Sequence, residues 1–308
     1  MSSVPSPSEQ FYLEYNVRTT NRVRRIIGIT FYYLIMAFVV LYSVGPVVWA
    51  YIIATKEDRW SGIGGAPVPD QIPDRWNTFL PENFFNMETF YYVLTKTNFV
   101  NAMINSFIVA VATTLLSIAL SLMAAYAFSR FDFPFKGVAM DSVLVTQMFP
   151  GILLMMPLFL VWARLGWLNT LHGLIIIYLG ISVPYCTWML KGFFDTIPKD
   201  LDESAMTLGA SRFRAFLTIV PLVLPGIFAT ALFTFITAWN EYMIALTFNT
   251  DPKFWTLPVG INQFFQPYRT PQYTYLAAYG LLAALPITVI FILLQNYLQK
   301  GLVAGAVK

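Results

Sequence analysis

The sequence is poor in charge, cysteine and histidine, and each shortage removes a class of function. Charged residues make up 11% of the 308, against roughly a quarter in soluble globular domains. Cys186 is the only cysteine, so neither an intrachain disulfide nor a cysteine metal cluster can form. His172 is the only histidine, which excludes two-histidine zinc motifs. No GxxxxGK[ST] phosphate loop occurs, so any work with ATP needs a second chain to bind it. No nucleophile and base stand at a spacing that suggests an enzyme.

Apolar side chains supply 57% of the chain. They gather into six uninterrupted runs, near 26–54, 99–128, 138–163, 173–194, 217–245 and 275–298. Each run reaches the ~20 helical residues that a ~30 Å hydrocarbon layer requires. Continuous rather than alternating apolarity predicts helices and not a barrel. The expected fold is therefore all-α, with six transmembrane helices in one unit over 26–308 behind a polar segment, 1–25. The first run is too long for a signal peptide and reads as a retained span.

Six spans place both termini on one side. Twelve of the nineteen Lys and Arg then share that side, including Arg18, Arg22, Arg24 and Arg25 before the first span. The positive-inside rule makes it the cytoplasm. These arginines are topological signals and carry no inference about nucleic acid. Trp49, Tyr51, Trp162, Trp167, Trp239 and Tyr242 fall near the outer ends, at headgroup level. Acids within the spans are Asp141 and Glu241, both near an interface. The absence of a midplane acid speaks against a proton- or sodium-coupled carrier. Prolines within the spans, among them Pro46, Pro150, Pro157, Pro184, Pro225 and Pro286, predict kinks.

Two loops stand out. The outer loop at 247–274 mixes amides and aromatic rings: Asn262, Gln263, Phe264, Phe265, Gln266 and Tyr268. That mixture suits sugar rings, with their apolar CH faces and hydroxyls, and equally suits an interfacial aromatic belt. The cytoplasmic loop at 195–216 reads as a short helix, a glycine turn and a second helix. Asp200 with Glu203 resembles a capping box. Leu201, Ala205 and Leu208 form an apolar stripe at helical spacing. Gly209 is placed to end the first helix left-handed, and Ser211 to cap the second. On local grounds this helix either lies on the headgroups or docks against a partner.

Glu203, Ser204, Ala205, then Gly209, then Ile219 and Pro221 resemble the EAA loop of ABC importer permeases, and GASRFRAF resembles its carbohydrate branch. Ser204 replaces an alanine, and Pro221 comes one residue early, which predicts a shift or bulge at the start of the fifth span. The similarity runs from the first span onward and is closest to the smaller permease of maltose- and maltodextrin-type systems. It implies a bacterial or archaeal inner-membrane subunit and an ABC type I importer fold. It also implies partners: a larger homologous permease, an ATPase dimer that binds ATP-Mg, and a soluble sugar-binding protein. This chain would bind no cofactor or metal of its own. Asp200, Glu203, Ser204, Ala205, Leu208, Gly209, Ala210 and Arg212 would contact the ATPase, as would the tail QKGLVAGAVK. The 262–268 loop would face the sugar-binding protein. Asn105, Gln147, Trp239, Asn240 and Glu241 are candidates for the translocation path. An importer of another solute such as a glycerol phosphate, an ATP-independent carrier and a membrane enzyme are the competing readings.

Overall fold

The computed structural model describes the backbone of residues 7–55, 86–265 and 273–306. Among these residues there is no strand. The helices are α1 (Pro7–Ala54), α2 (Glu88–Lys96), α3 (Phe99–Arg130), α4 (Lys136–Met148), α5 (Gly151–Leu165), α6 (Leu171–Asp195), α7 (Asp200–Thr207), α8 (Arg212–Ile219), α9 (Leu224–Asn240), α10 (Met243–Phe248), α11 (Leu257–Gly260) and α12 (Tyr273–Ala306). Short 3-10 turns at Val220–Val223, Pro252–Phe254 and Ile261–Phe264 link some of them.

Among the described residues, five helical stretches are long and apolar enough to cross a membrane: Arg25–Ala54, Phe99–Arg130, Leu171–Asp195, Arg212–Asn240 and Tyr273–Leu293. The expected continuous span at 138–163 is instead two helices, α4 and α5, meeting at 92°. Pro150 cannot donate to the ladder, and Gly151 resists helix formation, so the pair breaks the run where single prolines elsewhere do not. Pro46, Pro157, Pro184 and Pro286 all lie inside unbroken helices. The expected span at 217–245 also differs. It begins as α8, passes through the turn at Val220–Val223, continues as α9 and breaks again at Glu241. The early Pro221 is absorbed by that turn, at its first positions.

At the centre of the bundle, α3 packs against both α6 and α9. Its sequence contains no Gly or Pro. Ala102, Ser106, Ala110, Thr113, Ser117, Ser121 and Ala125 recur every three or four residues and are all buried. Small side chains on one face let helices approach closely, which is the main source of packing energy in lipid. At Gly226 of α9 an added Cβ would meet the Phe193 ring of α6, so only glycine allows this approach. In the most apolar 18 residues of α1 no residue is buried, although Ala54 at its end is, and the helix packs mainly on α12.

Buried side chains form two clusters, one toward each end of the bundle. The larger includes Phe99, Val109, Leu174, Tyr178, Trp239, Phe248 and Tyr279. The smaller, beneath α8, includes Ile118, Tyr126, Leu190, Phe194, Ile219 and Val223.

Candidate functional site

The short helix α7 hangs from the end of α3 by one buried acid. Asp202 is 4% exposed, although it lies in a polar loop. Its Oδ2 stands 2.6 Å from Arg130 Nε. The Tyr126 hydroxyl donates to its Oδ1 at 2.8 Å. Arg130 also donates to the carbonyls of Phe194 and Ile197, at 3.2 and 3.0 Å, fixing the end of α6. Ser129 donates to Asp195 at 2.6 Å, and Asp195 also receives Lys191 Nζ at 2.6 Å. The Tyr126 ring lies edge-on to Phe131, Phe194 and Phe216. Together these contacts place α3, α6, α7 and α8 in one knot. A buried ion pair is worth having only when further hydrogen bonds complete it, as they do here.

With its back held, α7 turns its apolar side chains outward. Leu201 and Met206 are exposed, and Leu208 is 89% exposed. Glu203 and Ser204 are exposed, while Ala205 and Ala210 are half-buried. The helix ends in a Schellman turn: Gly209 has φ +90°, its amide donates to Met206 O, and the Ala210 amide donates to Ala205 O. Ser211 caps α8 by accepting from the Arg214 amide at 3.4 Å. Arg212 lies over the Phe131 ring at 5.2 Å. The capping box does not form. Lys199 occupies the cap position with no side-chain bond, and Asp200 is the first helical residue. Its charge still favours the N-terminus, together with Asp202 and Glu203 in the first turn.

Asp202, Arg130 and Tyr126 escaped the sequence reading. No local signal marks Asp202, because Glu203 lies opposite the apolar stripe and is exposed, and the buried acid is selected by Arg130 on another helix.

At the other end of the bundle, the loop after α10 is tied down by a ladder of asparagines on α3 and just before it. Asn98 Nδ2 donates to Pro252 O at 2.6 Å and Asn101 Nδ2 to Lys253 O at 2.8 Å. Asn105 Nδ2 donates to the carbonyls of Lys253 and Trp255, both at 2.9 Å. Ser106 accepts from the Leu257 amide, and the Tyr279 hydroxyl donates to Leu257 O. Of the residues expected to face a sugar-binding protein, Asn262 accepts from the Tyr242 hydroxyl. Gln263 accepts from the Asn98 amide and donates to Gly260 O. Phe264 is 3% exposed and Phe265 is exposed. Gln266 and Tyr268 lie outside the described residues.

The candidates for a translocation path are not gathered in one place. Gln147 lines a cavity of about 470 Å³ beneath the α4–α5 bend, with Phe149, Leu154, Trp162 and Ile181, and donates to Ile181 O. Trp239 and Asn240 border a separate cleft of about 370 Å³ with Pro258 and Tyr279. Asn105 is spent on the loop carbonyls. Glu241 is held by the Tyr178 hydroxyl and by two backbone amides. A third cleft, of about 600 Å³, opens between α4 and α6 beside Asp141, Trp188 and Lys191.

Residues 117–303 match the family described as the inner membrane component of binding-protein-dependent transport systems. The chain is 35% identical over 290 residues to the trehalose/maltose transport system permease protein MalG of Thermococcus litoralis, covering 93% of this chain and 97% of that one. It is 32% identical to the trehalose transport system permease protein SugB of Mycobacterium tuberculosis, covering 91% and 97%. Its fold is like that of a chain in the crystal structure of a bacterial ABC transporter that imports alginate, with a TM-score of 0.69, 17% identity, and coverage of 96% and 99%. By the family match and the full-length relatives, the chain belongs to the family of inner membrane components of binding-protein-dependent transport systems.

Proposed function

We propose that this chain is the permease subunit of an ATP-driven sugar importer, forming the membrane pathway with a second, larger permease. The observation that carries this reading is α7. Its back is pinned by Asp202 to Arg130, while Leu201, Met206 and Leu208 point away from the protein. A helix free on one face and fixed on the other transmits a push rather than absorbing it. The push comes from a paired ATPase that binds ATP-Mg. The end carrying α7 faces the cytoplasm, as the twelve Lys and Arg on that side support. Both termini lie there, and the membrane is a bacterial or archaeal inner membrane.

In the resting state the cavity between the two permeases faces the cytoplasm. Closure of the ATPase dimer presses on Leu208 and its neighbours, and α7 carries α3 and α6 with it through Arg130. The pathway then faces outward and receives its solute from a soluble binding protein, which meets the loop at 249–265. Gln147, Trp239 and Asn240 are the side chains proposed to border the solute, since each lines a cavity or cleft. A sugar is favoured because several relatives are permeases for sugars by name, including trehalose/maltose and galactooligosaccharides. The test is ATP-dependent uptake by the reconstituted complex of a panel containing maltose, maltotriose, trehalose and a galactooligosaccharide. Saturable uptake of one of these supports the sugar reading. Uptake without ATP, or of none of them, rejects it.

A further inference from the structure

We infer that Glu241 and Tyr178 form a rigid joint that carries the motion of α9 to the cap at the opposite end of the bundle. The fifth span connects the two ends directly. It begins at α8, next to α7, and leads through α10 into the loop clamped by Asn98, Asn101 and Asn105. Between α9 and α10 the helical ladder is broken. Glu241 adopts extended backbone, φ −68° and ψ 127°, and ends α9 without a backbone cap. A bare break of this kind behaves as a hinge, and a hinge would dissipate any movement arriving along α9.

The carboxylate closes the break. Oε1 accepts from the Ile244 amide at 2.8 Å, and Oε2 accepts from the Ala245 amide at 3.0 Å. The side chain thus replaces the ladder that the backbone has lost and fixes α10 to α9. Oε2 also accepts from the Tyr178 hydroxyl at 2.6 Å. Tyr178 lies on α6 and is 3% exposed, so its ring cannot follow a moving partner without repacking the core. A short bond from a buried phenol to a carboxylate is among the stronger neutral-to-charged hydrogen bonds. Glu241 is therefore a positioning residue, with both oxygens committed to protein donors. The consequence is that α6, α9 and α10 move together, and the cap at 249–265 moves with them.

This inference rests on the coupling role proposed for α7, and its test uses no sugar. The complete importer complex is prepared with Cys186→Ala and Lys253→Cys, so that one exposed thiol reports on the cap. Its labelling rate by a maleimide is measured with and without trapping of the ATPases by ATP and vanadate. The rate is expected to change at least threefold on trapping. With Tyr178→Phe or Glu241→Gln added, that change should shrink to within 1.5-fold, while ATP hydrolysis stays within twofold of the parent. Tyr178→Phe keeps the buried ring, so it separates the bond from the packing. The joint is rejected if the labelling change survives both substitutions. It is rejected also if labelling and hydrolysis fall together with the yield of folded complex. No change in the parent rejects it too, because the cap then does not move.

Discussion

Arg130 and Asp202 stand 72 positions apart and meet at 2.6 Å, with side chains 5% and 6% exposed. They join the end of the central helix to α7, beside which Leu201, Met206 and Leu208 are exposed. Removing either partner leaves a lone buried charge. Asp202→Asn or Arg130→Met should each destabilise the chain by about 3–5 kcal/mol. The paired change Arg130→Met with Asp202→Asn leaves no buried charge and should cost less than the sum. Thermal unfolding in detergent measures all three, and strict additivity would show that the two residues are not coupled.

Gly209 has φ +90° with nothing within 4 Å of an added Cβ, so a side chain there is strained but not crowded. Gly209→Ala should cost about 1–2 kcal/mol of local strain, and Gly209→Asn less, since Asn tolerates this backbone. The strain falls on the turn behind α7. Solute moved per ATP hydrolysed should decline in the order Gly, Asn, Ala, while the global unfolding midpoint changes by only a few degrees.

Asn105 holds two carbonyls of the loop at once. Asn105→Leu removes both bonds; Asn101 still donates to Lys253 O, so the Trp255 carbonyl is the acceptor that loses its donor, at about 1–3 kcal/mol. Hydrogen exchange should speed up in the amides of 253–260 and stay unchanged in α7. Equal exchange in that loop before and after substitution would assign Asn105 some role other than clamping.

Gly226→Ala drives a methyl group into the Phe193 ring. Overpacking of this kind costs about 1–3 kcal/mol. A second change, Phe193→Leu, should restore part of the loss by vacating the space. Failure of the second change to recover any stability would mean that α9 and α6 do not meet at this point in the assembled protein.

The sequence was informative where the signal is local. Four of the six apolar runs fall within single helices, because lipid demands length and apolarity in every span. The Gly209 turn and the Ser211 cap were readable from residue type, since each answers a need of its own backbone. A kink was expected at Pro150, but not that it would break its span, because four other span prolines sit in unbroken helices and the pairing with Gly151 tips the balance. Among Asp200, Asp202 and Glu203, nothing local tells which acid turns inward. That choice belongs to Arg130, which lies at the end of another helix. The roles of Asn105 and Gln263 were hidden for the same reason, as their partners are carbonyls far along the chain.

The central claim is that the bare face of α7 docks an ATPase. The direct measurement is to tag this chain, express it with its genomic neighbours, and quantify by mass spectrometry what co-purifies in mild detergent, with and without Leu208→Glu. Leu208 is 89% exposed, so the substitution should leave folding within about 0.5 kcal/mol. An ATPase and a second permease are expected with the parent chain, and Leu208→Glu should lose at least nine-tenths of the ATPase while retaining the second permease. Full retention of the ATPase by the variant would contradict the claim, and α7 would then not be the docking surface.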